Sequence, residues 1–192
     1  MAMLKKIFFI FAVSIFTGIF AGCTSSGLNK VYVTNTKKVS LLPPSSMMGE
    51  TECYEYFSGN FGDQSFAMTC YFSSDNDGIT ILLLNDFGVQ MGTMTYDGVT
   101  AALDSSVLPS SFKCEYILLD IQNAYYNKDK LIEHYKNHKL IFNEETKEDG
   151  SIVRKVMNKK DLIEEITIKD KTIVIKNYLR GYEYEITGAD DE

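Results

Sequence analysis

Residues 79–98, ITILLLNDFGVQMGTMTYDG, decide how the fold is read. Residues 79–84 are almost wholly apolar, and Asn85-Asp86-Phe87-Gly88 has the composition of a tight turn. Residues 89–96 then alternate until Asp97-Gly98 turns the chain again. Two short β-type runs joined by such a turn form an antiparallel hairpin. The first run is apolar on both faces, which predicts a central, covered strand. The Phe is unexpected, because turn chemistry needs Asn, Asp and Gly but no aromatic. Asp-Phe-Gly also spells the magnesium motif of kinases. No Gly-rich nucleotide loop or catalytic-loop motif accompanies it, so it reads as a turn.

The same grammar extends outward. From about residue 52 the pattern has period two, with Phe66, Met68, Cys70 and Phe72 alternating with Ala67, Thr69, Tyr71 and Ser73. Gly62-Asp63 and Asn76-Asp77-Gly78 are hairpin signals on either side. After Leu108-Pro109 the period changes: Cys114, Ile117, Leu118, Ile121, Ala124 and Tyr125 recur at helical spacing, with Ser110 or Ser111 available as a cap. A second, mostly polar helix is predicted over 128–137. Five further strands follow, at 139–145, 151–157, 161–169, 172–178 and 182–187. Strands that meander through hairpins must hide their edges by curling or wrapping a layer. The expected class is therefore α+β: one domain, residues 51–188, built as an incomplete antiparallel β-barrel with helices covering its concave face.

The N-terminus points to the cell envelope. Lys5 and Lys6 precede an apolar run from Ile7 to Ile19, and Phe20-Ala21-Gly22-Cys23 follows. This is a secretory signal, too short to span a bilayer, and it resembles a bacterial lipoprotein signal with Phe20 in the first lipobox position. The resemblance implies that residues 1–22 are removed and that Cys23 carries the lipid. Acyl chains on that Cys would anchor it firmly, since each buried methylene contributes about 0.8 kcal/mol. Thr24 after the Cys favours the outer membrane, by analogy with enteric bacteria. Residues 23–50 read as lipidated Cys plus flexible tether, with Pro43-Pro44 excluding helix and central strand and Val31-Tyr32-Val33 the only strand-like piece. Residues 189–192 read as a tail. Net charge is −7, or −9 without Lys5 and Lys6. Such a surface argues against nucleic acid, which needs a basic footprint.

Chemistry-bearing constellations are sparse. His134 and His138, the only histidines, stand one helical turn apart. No Cys or carboxylate cluster at a suitable spacing completes a metal site. No G-x-S-x-G elbow or activated Cys is present, so no catalytic residue is assigned and no cofactor is expected. Cys53 and Cys70 fall on consecutive strands, but the turn between them sets 53 nearer 72, so buried free thiols are the favoured reading. Glu144-Glu145, Glu164-Glu165 and Glu183 with Glu185 read as solubility charges. Asp120 and Gln122, polar residues within an apolar helix, read as a buried hydrogen-bonded link to the sheet. The inward stripes contain Phe66, Met68, Phe72, Ile81, Leu83, Met91, Ile173, Ile175, Tyr182, Tyr184 and Ile186. With eight Met, twelve Phe and twelve Tyr, they are candidates for the wall of a lipid cavity, because an incomplete barrel is too wide to fill itself.

At LLLNDFG the chain resembles LolB, the outer-membrane receptor that takes lipoproteins from the periplasmic carrier LolA; here Asp86 and Phe87 replace the Pro and Leu of that family's turn. The lipobox, LLPP at 41–44, NDFG at 85–88, YDG at 96–98 and ILLDIQNAYY at 117–126 look closer still to a family of uncharacterised LolB-like lipoproteins, a domain of unknown function. Some of its members are thought to be encoded beside pathways for aryl-polyene lipids. The resemblance implies about eleven strands around a hydrophobic cavity for acyl chains, no catalysis, and a membrane-insertion role for Phe87. The expected function is an outer-membrane-anchored lipoprotein, on the periplasmic face, that binds or transfers acyl chains or lipoproteins. Its expected partners are the membrane, a lipid or lipoprotein cargo and a LolA-like carrier. The competing expectation is a structural or interaction lipoprotein with a filled core.

Overall fold

A computed structural model describes residues 29–47, 49–108 and 112–188. The expected signal peptide, Cys23, the capping Ser110 and Ser111, and the tail 189–192 lie outside the described residues. The chain begins with a two-stranded hairpin, β1 (Lys30–Tyr32) and β2 (Lys38–Ser40), and a short 3-10 turn at Pro44–Ser46. Five strands follow: β3 (Thr51–Phe61), β4 (Gln64–Ser74), β5 (Ile79–Leu84), β6 (Gln90–Tyr96) and β7 (Ala101–Asp104). Helices α1 (Cys114–Tyr125) and α2 (Lys128–Asn137) come next. Strands β8 (Ile141–Thr146), β9 (Ile152–Asn158), β10 (Asp161–Lys169), β11 (Thr172–Asn177) and β12 (Tyr182–Gly188) complete the chain.

The fold is α+β. Ten strands form one sheet in the order β7-β6-β5-β4-β3-β12-β11-β10-β9-β8, antiparallel throughout. Two five-strand meanders are thus joined where β12 pairs with β3, Tyr184 lying opposite Gly59. Strands β7 and β8 are the two edges, so the sheet does not close into a barrel.

It does curl. Helix α1 touches both β7 and β10. Those strands are seven places apart in the sheet, about 34 Å if it were flat. A 12-residue helix is only about 18 Å long, so the sheet must bend around it. The seam at Gly59 is part of that bend. A Cβ there would come within 2.4 Å of Tyr184 Cβ and of the Glu183 carbonyl oxygen. Only glycine fits.

Residues 29–47 are not tether. Val31, Val33, Val39 and Leu41 are buried in the core, and Val31 pairs with Val39. Gln122 fixes the segment, its side chain accepting from Leu42 N (2.8 Å) and donating to Leu42 O (2.9 Å). Tyr96 donates to Leu41 O at 3.2 Å. Two three-residue strands carry too little periodicity to be visible in sequence. Their presence explains why α1 is buried almost all round: the sheet covers one side and this hairpin another, leaving Ile117 through Ala124 buried. Gln122 therefore links α1 to the N-terminal segment rather than to the sheet. The α1 N-cap position is Lys113, without a side-chain cap; α2 is capped by Asn127, which accepts from Asp129 N and Lys130 N.

The C-terminal end of α1 is pinned by Arg154 of β9. Its Nη1 donates to the carbonyls of Asn123 (2.8 Å), Ala124 (2.7 Å) and Tyr126 (3.0 Å). These are carbonyls that a helix end leaves without partners, and a cation there also suits the helix dipole. Glu144 balances the charge, accepting from Arg154 Nε at 2.9 Å and pairing with Nη2 at 2.9 Å. Glu144, itself half-buried, thus pairs with a buried Arg and is no mere solubility charge.

Candidate functional site

Pinned at its C-terminal end by polar contacts, α1 leaves space beside its N-terminal half. A cavity of about 310 Å³ lies there, between Ile117, Phe112 and Leu108 on one side and the sheet on the other. The sheet contributes Phe57 and Phe61 of β3, Gln64, Ser65, Phe66 and Met68 of β4, Leu83 of β5, Met94 of β6 and Tyr184 of β12. Among the described residues that line it, Gln64 and Ser65 are the only polar side chains besides the Tyr184 hydroxyl, and none is charged. Aromatic rings pack around it: Phe61 sits 5.3 Å from Phe66 and 6.4 Å from Tyr184, centroid to centroid. Phe57, Leu83, Met94, Ile117 and Tyr184 are buried, whereas Phe61, Gln64 and Ser65 reach solvent. The mouth is therefore at the β3–β4 hairpin.

Of the residues expected to line a cavity, Phe66, Met68, Leu83 and Tyr184 do so. Phe72 stacks on Tyr125 of α1 at 5.5 Å, and Ile81, Ile173, Ile175 and Ile186 are packed into the core away from this space. Tyr182 turns its hydroxyl to Asp120, and Met91 is half-buried against the core. Period-two spacing identifies the inward face but not where the helix lies against it. The lining residues missed in the sequence, Phe57, Phe61, Met94, Leu108, Phe112 and Ile117, carry the same apolar signal as core residues.

The floor of the cavity rests on a buried polar network. Tyr182 and Tyr184 donate to Asp120 Oδ2 at 2.7 and 3.0 Å. Asn123 donates to Glu164 Oε2 at 2.7 Å, and Tyr135 donates to Asn123 Oδ1 at 2.8 Å. Burial raises both acids, Asp120 to about 6 and Glu164 well above the ordinary carboxylate value, with the Asp120 charge adding to the second shift. Burial and the facing Asp120 charge both favour the protonated form of Glu164. Glu164 was expected as a surface charge. A bulge between Leu162 and Glu164 breaks the alternation of β10, and both Ile163 and Glu164 turn inward. Its neighbour Glu165 is on the other face, paired with Lys155 at 2.9 Å. Glu183 and Glu185 are exposed on β12.

A third buried acid, Glu55 on β3, accepts from Tyr125 Oη at 2.5 Å and lies opposite Cys70. Cys53, Cys70 and Cys114 are free. Cys53 pairs with Phe72, not Cys70, in the β3–β4 register. Burial pushes the thiols up to about 11, 12 and 11 respectively, the opposite of activation. The rings of His134 and His138 lie tilted to each other with centroids 4.7 Å apart, and His138 Nδ1 lies 2.8 Å from the His134 carbonyl oxygen. Among the described residues, no three His, Cys, Asp or Glu converge on a metal position.

Phe87 stands at the tip of the β5–β6 turn. Asn85 Oδ1 accepts from Phe87 N (3.0 Å) and Val89 N (2.9 Å), and Gly88 takes a positive φ of 72°. This Asx-type turn holds its shape without the Phe87 side chain, which is 90 % exposed. The turn follows the lower end of β5, the end toward which the β3–β4 hairpin also extends, because Leu84 pairs with Thr69 while β4 begins at Gln64. Phe87 and the cavity mouth therefore share one pole of the sheet. Among the described residues, no helix is long and apolar enough to cross a membrane.

A family model described as a protein of unknown function (DUF3261) matches residues 56–190, a span that holds the cavity, both helices and the acidic pair. No curated protein matches the chain.

Proposed function

Since the chain belongs to the DUF3261 family of proteins of unknown function, we propose its role from the physics of the site: it binds a single acyl chain in the cavity beneath the curled sheet. The observation that carries this reading is an uncharged, mostly aromatic and aliphatic space of about 310 Å³ open at one hairpin. It stands at the small end of ligand pockets, which run about 300–1,000 Å³, so it suits one chain rather than several. Burial in it stabilises each methylene by about 0.8 kcal/mol. In this proposal the fold is LolB-like and the chain is a lipoprotein held by lipid on Cys23. It faces the periplasm from the outer membrane and receives or passes on acyl chains or lipoproteins, with a LolA-like carrier as donor. It performs no catalysis, and Phe87 at the mouth pole enters an apolar phase during transfer.

Mass spectrometry of organic extracts from the purified protein tests the binding, alongside titration with a fluorescent acyl probe. Co-purified amphiphile or saturable probe binding is expected. Protein that is reproducibly empty and ignores the probe overturns the reading. The competing reading, a structural lipoprotein, draws support from the seven expected lining residues that are packed elsewhere. It predicts an interaction partner recovered by crosslinking with no amphiphile bound.

A further inference from the structure

The hairpin turns of the sheet divide between two poles, and the poles differ in chemistry. The turns β3–β4, β5–β6, β9–β10 and β11–β12 lie at the pole of the cavity mouth. The register requires it: Tyr182 at the start of β12 pairs with Phe61 at the end of β3, and Asn177 at the end of β11 pairs with Glu164 near the start of β10. The β1–β2 turn joins them, because Thr34 and Thr36 line one pocket with Asn158, Asp161, Tyr178 and Leu179. The turns β4–β5, β6–β7, β8–β9 and β10–β11 form the opposite pole. Phe61, Phe87, Val89, Tyr178 and Leu179 are exposed in or beside the turns at the mouth pole. Among the described residues, Val99 is the one large apolar side chain exposed in the turns of the other.

Charge divides in the same sense. Between their strands, the turns at the mouth pole hold Lys37, Lys159, Lys160 and Arg180 against Asp63 and Asp86. Asp161, the first residue of β10, leaves that balance positive. The opposite turns hold Asp75, Asp77, Asp97, Glu148, Asp149 and Asp170 against Lys147 and Lys171. Lys159 and Lys160 are both exposed, and among the described residues neither has an ion-pair partner. In a chain of net charge −7, cations and exposed apolar side chains thus gather at one end. We infer that the mouth pole seats on a bilayer carrying anionic headgroups, with Lys159 and Lys160 among the headgroups and Phe87 and Leu179 at the level of the acyl chains. Apolar tips partition into the interface and neighbouring lysines hold them to anionic lipid. The acidic opposite pole is repelled by the same surface, which sets the orientation. The cavity then opens toward lipid instead of water. This inference rests on the proposed placement beside a membrane, not on acyl binding.

The chain contains no Trp, so a single introduced Trp reports its own surroundings. Tyr178→Trp and Val99→Trp place one at each pole of the full-length protein. Vesicles of phosphatidylcholine with or without phosphatidylglycerol, carrying brominated acyl chains, quench a Trp that enters the bilayer. Tyr178→Trp should shift to the blue and be quenched, while Val99→Trp keeps its emission in water. Quenching at Tyr178→Trp should be greater with phosphatidylglycerol and should decline as salt is added. Adding Lys159→Glu and Lys160→Glu should lower the ratio of quenched to unquenched Trp about tenfold or more. Thermal melting checks that these turn substitutions leave the fold intact, and the comparison of the two lipids reads the charge dependence with both lysines in place. Equal quenching at the two poles, no quenching at either, or quenching indifferent to lipid charge overturns the inference. Titration with the acyl probe is a separate measurement: quenching without probe binding removes the cavity reading and leaves the docking pole standing.

Discussion

The two ends of helix α1 lie under one sheet but are held by opposite means. At its C-terminal end the contacts include a dense set of directional ones: Arg154 reaches three carbonyls, Asn123 bridges Glu164 and Tyr135, and Asp120 takes two tyrosine hydroxyls. At its N-terminal end Ile117 and the preceding Phe112 and Leu108 face mostly apolar walls, and space remains. Hydrogen bonds fix distance and angle, so a polar network specifies where the helix sits. Apolar contact is non-directional and tolerates a gap of ligand size. A fold that must be both rigid and hollow gains from separating the two. The half formed by β8–β12 positions the helix, and the half formed by β3–β7 leaves room beside it.

The comparison breaks most sharply at Arg154. Arg154→Ala leaves Glu144 with only Lys128, 3.6 Å away, and the helix-end carbonyls without Arg154, and removing one member of a largely buried pair costs about 3–5 kcal/mol. Urea denaturation should show that loss, with weakened acyl binding as α1 shifts. A loss below about 1 kcal/mol would mean that the directional contacts do not set the helix. Next comes the seam. Gly59→Ala drives a Cβ against the Glu183 backbone and Tyr184, neither of which is a flexible chain end. We expect about 1–3 kcal/mol of destabilisation and a narrowed mouth, read out by thermal melting and probe titration.

The acidic pair gives the polar end a pH signature that the apolar end lacks. Both folded-state values lie above the ordinary ones of 3.8 for Asp120 and 4.5 for Glu164, chiefly through burial. The native state therefore holds more protons than the unfolded chain above those values. Stability falls as pH rises through about 6, where Asp120 titrates, and continues to fall toward the higher value of Glu164. His134 acts at the acid side. Burial, with His138 nearby, lowers it to about 4, so its contribution is present above pH 6.5 and is lost as pH falls toward 4. Glu164→Gln keeps the shape and hydrogen bonding of the protonated acid. It should match the wild type near pH 5 and melt higher near pH 8. Parallel pH profiles for the two proteins would show that no proton is held there.

Much of this architecture is legible in the sequence because hairpin turns and period changes are local signals. The expected bounds of β5, α2 and β10 coincide with those observed. What escapes is non-local. Glu164 looks like half of a surface Glu-Glu pair until the bulge at Ile163 turns it inward. Val31 and Val39 look like tether because each belongs to a strand of three residues whose partner is not obvious. Phe72 and Phe66 are indistinguishable in a stripe, yet one meets Tyr125 and the other meets a void. Where α1 lies decides that difference, and Arg154, thirty residues beyond the helix, decides where α1 lies.

At the hollow end the expected effects on stability are small and those on binding are large. Met68→Trp places a larger side chain into the cavity, and the void should absorb it with a change within about 1–3 kcal/mol. Probe affinity should fall at least tenfold, whereas the same substitution in a filled core would reduce stability and leave nothing to measure in binding.

Phe87 is the limiting case, since its side chain is 90 % exposed and its turn is held by Asn85. Phe87→Glu should leave the melting curve unchanged within about 0.5 kcal/mol and leave equilibrium probe binding intact, because Phe87 does not line the cavity. A side chain that enters an apolar phase contributes about 1.5–3 kcal/mol. Transfer of the bound probe to lipid vesicles should therefore slow about tenfold or more, and Phe87→Leu should restore most of the rate. If Phe87→Glu transfers as fast as the wild type, the exposed ring at the mouth pole has no part in the exchange, and the pole's function reduces to admitting the chain.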